Sequence, residues 1–142
     1  MKKENMGRIL ALDVGEKRIG AAISDALNTI AQGIETIERK DTKSAIIKIK
    51  ELLKEHDITK IVIGMPFNMD GTKGKSAHLM EEFVDLIKAE TKVSVETVDE
   101  RLTTAQGERM LVEADVSRKK RKTSIDKIAA QLILQMYLDL HA

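Results

Sequence analysis

The segment Arg8 to Asp13 (RILALD) constrains this chain most, because it is a dense apolar run that stops at an acid and is followed at once by Gly15. A run this short, closed by a turn signal, suits a buried β-strand rather than a helix. After the turn Gly15 to Lys17, Arg18 to Ser24 (RIGAAIS) reads as a second strand. Gly33 to Glu38 (GIETIE) alternates apolar with polar, as a half-exposed third strand does. The short connection after Gly15 favours an antiparallel hairpin.

From Thr42 the period changes. Ile46, Ile49 and Leu53, with Ala45 and Leu52 beside them, recur every three or four residues among Lys and Glu, which predicts an amphipathic helix ending near His56. Lys60 to Gly64 (KIVIG) reads as a short buried strand and Met65 to Lys75 as a loop. A second helix is predicted from Ser76 to about Glu90, a strand from Val93 to Val98, and a third helix from Thr103 to Ala114, where Thr103 and Gln106 have the spacing of a capping box. The last helix, Ile125 to Leu140, carries one apolar stripe through Ile128, Ala129, Leu132, Ile133, Met136 and Tyr137. Before it lies the basic run Arg118 to Lys122, read as a loop. This order predicts an α/β fold with a five-stranded mixed sheet, the first three strands antiparallel, strand 1 central, and helices on both faces. With no internal repeat or linker, residues 1–142 read as a single domain.

Composition narrows the function classes. With 42% apolar residues the chain can bury a core, so disorder is excluded as its main state, and 24 Lys+Arg against 23 Asp+Glu leave no net field to attract a partner. There is no cysteine, which removes disulfides, thiolate zinc sites and a Cys nucleophile and fits a cytoplasmic protein. His56, His78 and His141 are too scattered to form a zinc site. Met1 to Gly7 is polar and basic, and the apolar run after it is too short for a signal peptide or a membrane span. Phe67, Phe83 and Tyr137 are the whole aromatic complement, which argues against a platform for stacking unpaired bases.

The acids offer more. Asp13 ends strand 1, Asp99 and Glu100 end the strand from Val93, and Asp126 opens the last helix. In sheets of this kind the site lies outside the carboxyl ends of the strands. Two carboxylates within ~4 Å repel by about 4 kcal/mol at an effective dielectric near 20, so a cluster must raise a pKa or bind a cation. Oxygen ligands without His or Cys select Mg²⁺ or Mn²⁺, the ions that assist phosphodiester hydrolysis. Each acid also has a plainer reading. Asp13 suits a turn, alternation lets only one of Asp99 and Glu100 face Asp13, and Thr123 with Asp126 has capping-box spacing. Against the cap, Asp126 shares a helix side with Ala129, Ala130 and Ile133.

The run Arg118, Lys119, Lys120, Arg121 and Lys122 is of a kind that usually forms a solvated loop. Beside an acidic cluster it could hold a phosphate backbone that the acids alone would repel, and Lys17, Arg18 and Arg101 could add to the same surface. No base-reading pattern accompanies them. Gly71 to Ser76 (GTKGKS) ends like a Walker A loop, but Met69 stands where that motif needs its first Gly. Asp13 to Gly20 (DVGEKRIG) resembles the first phosphate loop of actin-like ATPases, folds that bind nucleotide between two related domains where this chain has room for one.

Four ordered stretches together resemble the YqgF family, Holliday-junction-resolvase-like proteins also described as pre-16S rRNA nucleases, of the RNase H-like superfamily. They are LALDVGEKRIGAAISD (Leu10 to Asp25), VIGMPFNMDGTKG (Val62 to Gly74), VDERLTT (Val98 to Thr104) and RKKRKTSIDKIAAQLIL (Arg118 to Leu134), and the match runs from Ile9 to Leu140. The resemblance implies an RNase H-like fold and a metal-dependent nuclease in which Asp13, Glu100 and Asp126 are the catalytic acids and hold Mg²⁺ or Mn²⁺. It favours Glu100 over Asp99 as ligand, and assigns Arg18, Arg101 and Arg118 to Lys122 to nucleic acid. Hydrolysis would leave a 5′ phosphate. The expected partner is precursor 16S rRNA in ribosome biogenesis, or branched DNA, met by a monomer or homodimer with no membrane involved. Two other classes stay open. A module that binds nucleic acid without cutting it would find an acidic cluster a liability, and an actin-like ATPase fragment predicts stabilisation by nucleotide.

Overall fold

The computed structural model describes residues 7–15, 17–65, 74–99 and 118–141, with the backbone alone at 76 and 118–127. Its elements in chain order are β1 (Arg8–Val14), β2 (Arg18–Ser24), β3 (Ala31–Glu38), α1 (Thr42–Glu55), β4 (Ile58–Met65), α2 (Lys75–Glu90), β5 (Ser94–Asp99) and α3 (Arg118–Leu140). The strands form one sheet in the order β3-β2-β1-β4-β5. β1, β2 and β3 pair antiparallel, while β4 joins β1, and β5 joins β4, in parallel. This is the five-stranded mixed sheet with β1 at its centre that the sequence predicts, in the arrangement of an RNase H-like α/β fold.

The pleat of β1 divides the core in two. Leu10 and Leu12 point to one face, where they meet Ile19, Ile61 and Ile63, with Ile49 and Leu52 of α1 and Phe83 and Ile87 of α2. Ile9 and Ala11 point to the other, where with Ala22 and Val62 they lie under Ala130, Ile133, Leu134, Tyr137 and Leu138 of α3. Small residues on that second face let α3 come close to the sheet. Each fully buried Leu or Ile contributes about 1.5–3 kcal/mol, so an aliphatic core can hold the fold with few aromatics.

Helix α1 starts where Asp41 accepts a hydrogen bond from Ser44 N at 2.7 Å, a cap that holds the Asp41 carboxyl below the usual carboxylate range. β3 begins earlier than its alternation indicates, at Ala31, whose N–H donates to Gln135 Oε1 of α3 at 2.9 Å. The largest departure from expectation is α3. It begins at Arg118, so the basic run forms its first turns instead of a loop. Lys and Arg are good helix formers, and no Gly or Pro interrupts residues 118–140. Thr123 therefore sits inside the helix, which removes the reading of Thr123 and Asp126 as a capping box. The predicted helix Thr103 to Ala114 and residues 66–73 of the predicted loop lie outside the described residues. Among the described residues, no helix is long and apolar enough to cross a membrane.

Candidate active site

The site begins with the turn that follows Asp13. Gly15 N–H donates to the Arg18 carbonyl at 2.8 Å, and a Cβ on Gly15 would stand 2.9 Å from that oxygen, so the tight closure needs glycine. The turn is also held from outside. Arg39 Nη1 donates to the Gly15 carbonyl at 2.8 Å, Arg39 N–H donates to the Lys17 carbonyl at 2.9 Å, and the guanidinium lies 5.1 Å from the centre of the Phe83 ring.

Asp13 is half-buried. Its parity along β1 is that of Ile9 and Ala11, which places its side chain on the α3 face. Across the sheet it pairs with Gly20 of β2, and Gly64 of β4 follows the pair Leu12–Ile63, so the positions level with it on both neighbouring strands are glycines. Arg18, with the parity of Ala22, shares that face. Beyond Gly20 the next residue in the row is Thr36, whose buried Oγ1 has no hydrogen-bond partner among the described residues. On β5, Val95 packs on the α1/α2 side and Val98 on the α3 side. Asp99 has the parity of Val95 and therefore belongs to the face away from Asp13.

Helix α3 is pinned at its carboxyl-terminal half. Gln135 accepts from Ala31 N and donates through Nε2 to the Thr29 carbonyl at 3.0 Å and to Asp139 Oδ1 at 3.1 Å. Tyr137 OH donates to Glu96 Oε2 at 2.9 Å and accepts from Lys60 Nζ at 2.7 Å, while Lys60 and Glu96 pair directly at 2.8 Å. The Lys60 ammonium and the Tyr137 hydroxyl hold the Glu96 carboxyl below its usual range; Glu96 and Tyr137 in turn hold Lys60 above its own. The His141 ring stacks on Tyr137 at 4.1 Å.

Of the residues expected at the site, the described structure includes Asp13, Lys17 and Arg18, with Lys17 exposed in the turn. Asp126 and Arg118, Lys119, Lys120, Arg121 and Lys122 belong to the amino-terminal part of α3, described as backbone. Glu100 and Arg101 lie outside the described residues, as do Asn68 and Asp70. Among the described residues no three acidic or imidazole groups gather in a way that could hold a metal. Sequence reasoning missed Arg39 and Thr36. Laying β3 beside β2 from its Arg18–Glu38 end would have brought Arg39 to the Gly15 turn and Thr36 level with Gly20.

Comparison with known proteins agrees with this architecture. The family model RuvX, described as Holliday junction resolvase, matches residues 7–140. A protein of Clostridioides difficile (strain 630), provisionally named a pre-16S rRNA nuclease, is 52% identical over 133 residues, 94% of each chain. Among solved structures, RuvC of T. thermophilus in complex with a Holliday junction substrate superposes with a TM-score of 0.56 at 13% identity, over 94% of this chain and 96% of that one. The Fowlpox virus resolvase bound to Holliday junction DNA gives a TM-score of 0.55 at 15% identity, over 94% and 98%. At such identities these two structures speak for the fold. The family match over nearly the whole length goes further: the chain belongs to the RuvX family of Holliday-junction-resolvase-like nucleases.

Proposed function

We propose that this protein is a metal-dependent nuclease that cuts phosphodiester bonds in structured nucleic acid, with the 5′ end of precursor 16S rRNA as its substrate. The observation that carries the reading is Asp13: a half-buried acid at the end of the central strand, on the face that α3 covers, between two glycines. Its relatives at about half identity, such as that of C. difficile, bear the name pre-16S rRNA nuclease, which supports the choice of substrate.

Asp126 is the second acid. Ala31, Ser24 and Ile9 share one level of the sheet, linked by strand pairing and by the bond from Ile9 N to Ser24 Oγ, and Gln135 is anchored to that level. Asp126 stands nine residues earlier in α3, ~13 Å along a helix, and Asp13 four residues further along β1, also ~13 Å. This matching of heights supports Asp126 as a partner of Asp13. Glu100, which follows β5 directly in the sequence and is the acid that the resemblance favours over Asp99, is the third. An all-carboxylate donor set fits a hard divalent cation, Mg²⁺ or Mn²⁺, held by Asp13, Glu100 and Asp126. When bound, such an ion supplies Lewis-acid activation of water and neutralises charge at the phosphate. Arg18 on the same face, together with Lys17, Arg101 and Arg118 to Lys122, would offset the repulsion between acids and substrate backbone.

The same chemistry could act on a four-way DNA junction, a second reading favoured by the name of the matched family model. Symmetric cutting would then require two copies of the site, hence a homodimer. The test is cleavage of labelled precursor 16S rRNA end fragments and a synthetic four-way junction, side by side, with Mg²⁺, Mn²⁺ or EDTA. The proposal expects metal-dependent cutting of the RNA that leaves a 5′ phosphate. Cutting of the junction alone would move the substrate to DNA, and tight binding without cutting under any metal would overturn the nuclease reading.

A further inference from the structure

Three connections meet where β1 ends: the β1–β2 turn, the end of β3 and the start of α1. They bring together five cations, Lys17, Arg18, Arg39, Lys40 and Lys43, against three acids in the sequence of the same segments, Glu16, Glu38 and Asp41. Hydrogen bonds fix the corner, since Arg39 donates to both the Gly15 and the Lys17 carbonyls. Lys17, Lys40 and Lys43 are exposed. The Asp41 carboxylate is engaged by Ser44 N, so the amino-terminus of α1 is already capped and the attraction for an anion comes from the side-chain cations. Arg39 uses Nη1 on Gly15 and rests on Phe83, which orders its charge before any ligand arrives.

We propose that this corner is a binding surface for the nucleic-acid backbone, extending the substrate path from the Asp13 side of the sheet, over the tip of the β1–β2 turn, to the start of α1. The inference rests on the nuclease reading above and adds a second phosphate-holding region, separate from the basic turns of α3. Gly15, two residues after Asp13, accepts the Arg39 bond, so the corner adjoins the end of β1 that carries Asp13. Lys and Arg arranged without base-reading residues hold phosphates irrespective of sequence, and each such contact adds to the salt dependence of binding.

The test uses the full chain with Asp13→Asn, so that binding is read without cutting, and a fluorescent precursor 16S rRNA end fragment in about 50 to 200 mM KCl. Adding Lys40→Gln and Lys43→Gln should weaken binding about tenfold near 100 mM salt and lower the slope of log K against log salt by roughly 1.4 to 1.8, two contacts' worth. Lys88→Gln with Lys92→Gln, at the opposite end of the sheet, should leave the slope unchanged. In the cutting enzyme, the Lys40/Lys43 pair should raise KM with kcat retained at saturation. An unchanged slope with binding intact overturns this surface and leaves the nuclease reading standing. Absence of RNA binding by either protein overturns both.

Discussion

Gly20 stands between Thr36 and Asp13 in the row across the α3 face, so a buried hydroxyl with no hydrogen-bond partner among the described residues lies two strands from the central acid. Leaving a buried hydroxyl unpaired costs about 1–3 kcal/mol. Thr36→Val, which keeps the shape and removes that group, should therefore raise the stability of the metal-free protein by about 1 kcal/mol in urea denaturation. A loss of stability would mean that the hydroxyl has a partner in solution. At this scale the sequence was readable where chemistry breaks a pattern: an acid closing an apolar run marked Asp13. It was unreadable where a role depends on cross-strand register. Thr36 and Arg39 look like any strand residue and any surface cation until β3 is laid beside β2.

Among the elements, α3 links the two ends of the molecule. Its carboxyl-terminal half is fastened to β3 by Gln135 and to β4 and β5 by Tyr137, and its amino-terminal half runs back toward the end of β1. The Lys60–Glu96 pair is partly exposed, so its contribution stays within about 1 kcal/mol. The Glu96 carboxyl titrates below its unfolded range because Lys60 and Tyr137 favour the charged form, so its contribution is present above the ordinary carboxylate range and lost as pH falls through the lowered value. Lys60, held above its ordinary value, contributes up to the usual lysine range and loses that contribution only as pH rises through its raised value. The stability gap between the native protein and Glu96→Gln should thus stay level through neutral pH and close in acid. Thermal melts from about pH 7 down to pH 3 measure it, and a gap that widens in acid would contradict the assignment. The body of α3 was legible because Ile125 to Leu140 repeats an apolar stripe, whereas its first seven residues were not, since a polar helical extension carries no amphipathic signal.

The whole molecule brings its ends together by topology. A hairpin followed by two parallel crossovers forces β1 to the centre, sends the carboxyl ends of β1, β4 and β5 to one side, and leaves the face of Ile9, Ala11 and Asp13 to α3. That much could be read from element order, because connections of these lengths admit few arrangements. The substrate could not be read this way, since phosphate-holding cations look alike for RNA and DNA. The central claim is that Asp13 anchors a metal-dependent cutting site, and its most direct test is Asp13→Asn assayed on a precursor 16S rRNA end fragment with Mg²⁺ or Mn²⁺. Cleavage should fall by roughly 10³-fold or more, about 4 kcal/mol of barrier, while circular dichroism is unchanged and the metal-free Tm is equal or higher through relief of acid repulsion. Cleavage within about tenfold of the native rate, or activity lost together with the fold, would contradict it.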